Sequence, residues 1–322
     1  MKIMVTGVAG FIGANLAEYL LNKNFEVIGL DNFNDYYPRK IKEFNIPHFH
    51  ENPNFKLYET DITNRNTLKQ IFETENINTV VHLAAWAGVT TSVKTPHIYA
   101  ETNYIGTNNL AEFAVNNKVK NFIFASTSSV YGINPTPFNE EMDTSHPFAP
   151  YPASKKAGEV LLYTYSQNFN IDITILRFFN PIGPKLRPDL AIPKLIRSSL
   201  YGNQFPIYQN PESSKRDYTY INDMLKAIEY IINNPFKYDI FNLGNSNPVS
   251  LIDLINTVEK VTGNKIKTIE NPLPGQMEVT YANIEKARKS LNYNPQTTLE
   301  QMVKIYYDWF VDQPDWYKKG EY

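Results

Sequence analysis

The chain has 322 residues and a formal charge of −2, and 42% of it is hydrophobic. That length can bury one large α/β core or two intimately joined domains, and the near-neutral balance gives no electrostatic footprint for nucleic acid or an anionic membrane surface. With no cysteine, disulfides, thiolate–zinc sites and cysteine nucleophiles are excluded, which also counts against sugar-alcohol oxidations that pass through a covalent thiohemiacetal.

Lys2–Thr6 reads as the first strand, so Met1-Lys2 leaves no room for a signal peptide. No apolar run approaches the ~20 residues of a membrane span, and the expected location is the cytoplasm. The loop Thr6-Gly7-Val8-Ala9-Gly10-Phe11-Ile12-Gly13 joins that strand to a helix over Phe11–Asn22. Glycines there allow a tight turn and close backbone approach to a pyrophosphate resting on the helix N-terminus. The spacing is Gly-x-x-Gly-x-x-Gly, and the alternative is a turn with packing duties only. Glu26–Leu30 is the next strand, closed by Asp31, where an acid binds adenosine ribose hydroxyls and repels a 2′-phosphate. This favours NAD over NADP, unless Asp31 is a solvated turn residue.

Lys56–Glu59 is a third strand, followed by Asp61-Ile62, which can reach the adenine. Asp61, Thr63 or Asn64 can cap a helix over Asn64–Thr74. The strand Thr79–His82, a helix over roughly Ile98–Asn116 and the strand Asn121–Ala125 come next. Ser126-Thr127-Ser128-Ser129 then stands at the C-terminal end of a strand, where open parallel sheets bind ligands. These hydroxyls can hold a substrate alcohol and relay its proton, or simply form a turn. Of the histidines, only His48 and His50 are close in sequence, a weak hint of a metal site.

A helix over roughly Pro152–Asn168 places Tyr151 and Lys155 one turn apart on one face. Bringing a phenol from its unperturbed pKa of ~10 to near neutrality requires about 4 kcal/mol of preferential stabilisation of the phenolate. A neighbouring ammonium and an oxidised nicotinamide can supply it. The chain has 22 tyrosines, so the spacing gains weight only from its place one unit after the hydroxyl cluster. Asp172–Leu176 completes a strand–helix alternation typical of a doubly wound parallel sheet.

Beyond Arg177 prolines are dense and helices shorter. Asp217–Asn233 reads as a helix and Ile240–Leu243 as a strand returning to the sheet; Leu251–Thr262, Ile284–Leu291 and Leu299–Phe310 read as a small α-rich lobe. The expected organisation is a Rossmann domain over 1–180, rejoined by about 217–245. A substrate domain takes 181–216 and 246–322.

These motifs, together with His82-Leu83-Ala84-Ala85, Arg177-Phe178-Phe179-Asn180 and Lys215-Arg216-Asp217-Tyr218, resemble the extended short-chain dehydrogenase/reductase family, within it the nucleotide-sugar 4-epimerases. The likeness runs from Met1 to about Val311. It implies Thr127 as catalytic hydroxyl, Tyr151 as base and Lys155 as its partner. It also implies an NAD retained through turnover and held by Gly7, Gly10, Phe11, Ile12, Gly13, Asp31, Asn32, Asp61, Ile62, Leu83, Ala84, Ala85, Tyr151 and Lys155. Related dehydratases carry an Asp-Glu pair after the Thr, and decarboxylases a Glu; here Ser128 and Ser129 stand there, which argues for epimerisation.

Asp31–Tyr37 and Gly183–Ala191 look like the UDP-glucuronate 4-epimerases. In that group Thr127, Ser128, Ser129 and Arg187 correspond to residues placed to hold the sugar carboxylate, which a guanidinium suits through two parallel hydrogen bonds. Arg187 can equally hold a phosphate, or nothing. Asn180 stands where Thr is commoner and matches UDP-galactose-type epimerases. Thr90 replaces an Arg, Trp86 a Gln, and Gln276 an Asp linked to the uridine ribose. Arg216 is the candidate for the diphosphate. The expected partners are a UDP-sugar, most naturally UDP-glucuronate, and a second copy of the chain through Ile98–Asn116 and Pro152–Asn168. UDP-glucose, UDP-N-acetylglucosamine or its uronic acid remains the alternative substrate; a lyase and a non-catalytic NAD-binding scaffold are the readings opposed by Ser128-Ser129 and by the intact Thr127, Tyr151 and Lys155.

Overall fold

A computed structural model of the chain describes residues 1–46, 49, 51–272 and 277–322; Gln276 and the His48–His50 pair lie outside the described residues. The chain divides into two compact units. The first comprises Met1–Asn134, Glu140–Phe178 and Leu225–Asn242; the second Pro135–Asn139, Phe179–Met224 and Leu243–Tyr322.

The first unit is built on strands β1 (Lys2–Thr6), β2 (Glu26–Asp31), β3 (Phe55–Glu59), β4 (Thr79–His82), β5 (Asn121–Thr127) and β6 (Asp172–Phe178). A seventh strand, Tyr238–Leu243, completes a sheet in which it lies beside β6, followed by β5, β4, β1, β2 and β3. β1 to β6 all run parallel. Each crossover carries helix: α1 (Phe11–Asn22), α2 (Arg39–Asn45), α3 (Arg65–Thr74), then α4 (Val89–Lys94), α5 (Pro96–Ala100) and α6 (Thr107–Asn116), and finally α7 (Pro150–Asn168). The chain winds outward from β1 to β3, then crosses back to place β4 on the other side of β1, so the order reverses between β1 and β4. Every residue of β4 and β5 is buried because helices cover both faces. Alternation along the strands sends Met4, Ile28, Leu30, Val80, Phe122 and Phe124 into one core with Leu68 and Phe72 of α3, Leu110 and Phe113 of α6, and Leu162 of α7.

One expected cap is met and one expected helix differs. Asn64 caps α3 through Thr67 N–H at 3.2 Å, as one of the three candidates. The helix expected over Ile98–Asn116 is instead α5, a π-helical turn over Glu101–Gly106 and α6, with α4 unforeseen before them. The wide turn adds a residue to the helical register, and apolar spacing on either side of it gives no sign of this.

The residues expected to open a helix at Asp217 form short strands of the second unit, Lys215–Asp217 and Thr219–Tyr220, and the helix is Ile221–Asn233, most of which belongs to the first unit. The cause is the Asp217 carboxylate. It is buried and accepts from the backbone N–H groups of Asn245, Ser246 and Ala282, tying three segments together. The helices Ala191–Tyr201, Leu251–Thr262, Glu285–Leu291 and Leu299–Val311 supply most of the second unit, capped at Ser250 and by a Thr298–Gln301 capping box. Among the described residues no helix is long and apolar enough to cross a membrane, and no cluster of His, Asp and Glu could hold a metal.

Candidate active site

In register, Thr6 pairs with Leu30 and His82, Asp31 with Glu59, and Thr127 with Phe178, so these residues share the C-terminal edge of one parallel sheet. The glycine loop lies at that edge, at the reversal of strand order. Gly7 has φ +70°, and a Cβ on it would stand 2.9 Å from the Ala84 backbone. A Cβ on Gly13 would stand 2.1 Å from the Gly7 carbonyl oxygen. Leu83 and Ala84 therefore run against the loop, with Ala85 next in the chain, and α1 begins with neither a side-chain cap nor an acid in its first turn. Its leading N–H groups suit an anion. Phe11 is buried at the helix start beside half-buried Ile12.

Asp31 is buried and accepts from Ala9 N–H at 3.0 Å and Phe33 N–H at 2.8 Å. Burial pushes its carboxyl up from the ordinary value, opposed by Lys42 and those two donors. Lys42 is a member of this site that sequence reasoning missed: buried on α2, 3.9 Å from Asp31 and donating to Asn34 at 2.7 Å. Only the fold of the β2–α2 loop brings it there. Asn32 donates to Asp61 at 2.5 Å, and Asp61 also accepts from Thr63, so the two form one patch beside buried Ile62. The set can cradle a dinucleotide with a free ribose 2′-hydroxyl.

Behind the loop runs a buried polar chain. Thr6 Oγ1 accepts from Leu83 and Ala84 N–H and lies 2.7 Å from His82 Nδ1, to which its proton must go. His82 Nε2 then donates to Thr107 Oγ1 at 2.9 Å, and Thr107 donates to the Asn103 carbonyl at 2.6 Å. This pattern assigns a neutral imidazole. Burial, with Lys155 adding to it, pushes the His82 pKa well below its ordinary value. Asn103, within the π turn, accepts from Trp86 N–H and donates to the Trp86 carbonyl and Ser154 Oγ, and Ser154 donates to the Tyr151 carbonyl. The start of α7 is thus fastened to the segment after β4. Sequence reasoning missed Asn103 as well; its one signal is an asparagine at an otherwise helical, buried position.

Tyr151 lies in the first turn of α7 behind Pro150. Its ring meets Tyr99 edge-on at 6.1 Å, Tyr99 meets Trp86 at 6.3 Å, and Trp86 meets Tyr36 at 5.3 Å. Trp86 is thus a link in an aromatic row reaching Tyr151. Exposed Thr90 follows it at the start of α4. Lys155 is buried with its ammonium 4.7 Å from the Phe124 ring centre, forms no ion pair among the described residues, and is pushed down to about 7 by burial, with Glu159 opposing. Glu159 is committed elsewhere: it accepts from Arg177 at 2.7 and 3.0 Å and from Ser126 Oγ at 2.6 Å. Ser126 therefore leaves the hydroxyl cluster for the core. Thr127 closes β5, and its Oγ1 accepts from Ser129 N–H at 3.2 Å, which leaves its own proton to donate. Ser128 and Ser129 form the first turn of a 3₁₀ helix, half-buried.

In the second unit Asn180 has φ +27° and donates to the Asp217 carbonyl at 3.3 Å. The backbone conformation there favours Asn over a β-branched residue. Arg216 donates to the carbonyls of Lys215 and Glu278 at 2.9 Å and forms no ion pair among the described residues; burial pushes its pKa down. Arg187 forms a bidentate pair with Asp189, at 3.0 and 2.8 Å.

Residues 4–306 match the family described as GDP-mannose 4,6 dehydratase. The chain is 39% identical over 308 residues to the UDP-glucuronate 4-epimerase of Thermodesulfobacterium geofontis, covering 95% of each. It superposes at a TM-score of 0.90 on a Bacillus cereus UDP-glucuronic acid 4-epimerase crystallised with UDP-glucuronic acid and NAD, at 34% identity over 100% of both chains. A Thermotoga maritima UDP-glucose 4-epimerase with UDP-glucose superposes at 0.87, with 28% identity, 97% of this chain and 99% of the other.

Proposed function

The chain belongs to the GDP-mannose 4,6 dehydratase family of extended short-chain dehydrogenase/reductases, and from that premise we infer that it is an NAD-dependent UDP-sugar 4-epimerase whose preferred reaction interconverts UDP-glucuronate and UDP-galacturonate. NAD fits the site: the Gly7 and Gly13 cradle has no room for a Cβ, α1 opens without a cap, and Asp31 is buried between two backbone donors. Gly7, Gly10, Phe11, Ile12, Gly13, Asp31, Asn32, Asp61, Ile62, Leu83, Ala84, Ala85, Tyr151 and Lys155 are the residues proposed to hold it. When bound, NAD supplies reversible oxidation at the sugar C4.

The carrying observation is the set on α7 and β5: Lys155, buried with no ion pair among the described residues, one turn from Tyr151, and Thr127 at the end of β5, whose hydroxyl proton is left to donate. Tyr151 takes the C4 hydroxyl proton and later returns it. Lys155, when protonated, stabilises the phenolate by charge in a site of low dielectric. Thr127 binds the C4 oxygen and passes its proton to Tyr151. Ser128 and Ser129 offer no carboxyl to drive elimination or decarboxylation of the 4-keto sugar. Arg187, with Ser128 and Ser129, is assigned to the sugar carboxylate, Asn180 to the sugar and Arg216 to the diphosphate. Arg216 supports this as a desolvated guanidinium without a carboxylate partner among the described residues.

Two finer assignments accompany this. A catalyst that depends on NAD and a nucleotide sugar works where both are supplied, so we assign it to the cytoplasm. Exposed Tyr104, Ile105, Val160 and Tyr163, on the π turn and α7, support a homodimer through those helices; light scattering should report twice the chain mass, and Tyr163→Glu should halve it.

Incubation with UDP-glucuronate, UDP-glucose and UDP-N-acetylglucosamine in turn, followed by proton NMR, tests the reaction. The expected product is UDP-galacturonate from the first. Carbon dioxide release or a 4-keto-6-deoxy sugar would overturn the epimerase assignment.

A further inference from the structure

Arg187 sits in a loop whose backbone is closely held. Lys185 has φ +67°, buried Leu186 donates to the Gly183 carbonyl at 3.3 Å, and Leu190 N–H reaches the Arg187 carbonyl at 3.3 Å. Arg197 donates to the Pro188 carbonyl at 3.4 Å, and the helix Ala191–Tyr201 follows at once. Within this frame the Nε and Nη2 edge of Arg187 is filled by both oxygens of Asp189. The two side chains are unequally buried: Arg187 is 18% exposed and Asp189 47%. Rotating Asp189 outward moves it into water, whereas moving Arg187 would require the loop to open.

A carboxylate is thus already seated on the guanidinium that the proposed function assigns to the sugar carboxylate. We propose that Asp189 is a tethered competitor, exchanged for the substrate carboxylate on binding, and that this exchange is a specificity filter. The proposal rests on the reading of Arg187 as the uronate anchor. An incoming uronate replaces one planar two-oxygen anion by another, so the guanidinium keeps two charge-assisted hydrogen bonds. A neutral hexose has only hydroxyls to offer and leaves Asp189 in place. Discrimination then comes from an element that penalises the wrong ligand as well as from one that attracts the right one.

The test is calorimetric titration of the full-length, NAD-loaded protein with UDP-glucuronate and with UDP-glucose, in wild type, Asp189→Asn, Arg187→Gln and the double variant. Both ligands carry the same diphosphate, so a general gain from removing one negative charge would appear in both. Asp189→Asn should tighten UDP-glucuronate about three- to fivefold, the scale of a half-exposed ion pair, and leave UDP-glucose unchanged. In the Arg187→Gln background it should do nothing. Weaker or unaltered UDP-glucuronate binding would overturn the proposal and make Asp189 a prop for Arg187; so would equal tightening of both ligands, or tightening that persists without Arg187. Equal losses for the two ligands in Arg187→Gln alone would instead remove the uronate-anchor reading beneath it.

Discussion

Lys155→Met separates chemistry from packing because the two should move in opposite directions. Burial lowers the Lys155 pKa from 10.5 to about 7, which at 1.36 kcal/mol per decade is a full cost of about 5 kcal/mol for carrying the charged form in the folded protein. The folded value lies below the unfolded one. Between the two the unfolded chain therefore binds more protons, and stability rises with pH. The destabilisation is complete below about pH 7, about 4 kcal/mol at pH 7 itself, about 2 kcal/mol at pH 9, and gone above the unfolded value. Methionine keeps the length and helix propensity of the side chain and its contact with Phe124 without the charge. Allowing about 1–2 kcal/mol for imperfect packing, the variant should be more stable than wild type by about 2–3 kcal/mol at pH 7 and about equal at pH 9, while turnover falls to background. Urea denaturation of the ligand-free proteins at both pH values, with an epimerisation assay alongside, reads all of this. A variant less stable at pH 7, or a difference that does not shrink with pH, would refute the claim that a desolvated ammonium is held there.

Three other outcomes are expected. Tyr151→Phe keeps the ring against Tyr99 but removes the proposed base, so kcat should fall about 10³-fold with bound NAD unchanged on extraction; near-normal turnover would discard the role. Gly13→Ala puts a methyl 2.1 Å from the Gly7 oxygen, so the loop must shift and NAD affinity should drop at least about tenfold, a loss of about 1.4 kcal/mol in titration. Asn103→Leu strips partners from the Trp86 N–H and carbonyl and from Ser154, costing about 2–4 kcal/mol in urea denaturation, and should lower kcat through a displaced Tyr151; an unchanged midpoint would show that the π turn does not depend on that side chain.

Much of the C-terminal edge of the sheet was legible in the sequence because its determinants are local. A glycine loop between a strand and a helix, an acid closing the next strand, and a tyrosine one turn before a lysine are each specified by a few consecutive residues. β1, β2, β4 and α1 appear within a residue of where hydrophobic period and turn residues put them. Local pattern could not tell which hydroxyl of Ser126–Ser129 serves the fold, since that depends on Glu159 and Arg177 meeting Ser126 across the core. Nor could it place Lys42 beside Asp31, make His82 a neutral link between Thr6 and Thr107, or turn Asp217 from a helix start into a backbone hub. Periodicity records which face of an element is apolar. The partner of a buried polar group is settled only when distant segments close around it, because desolvation penalises any donor or acceptor left unmet there.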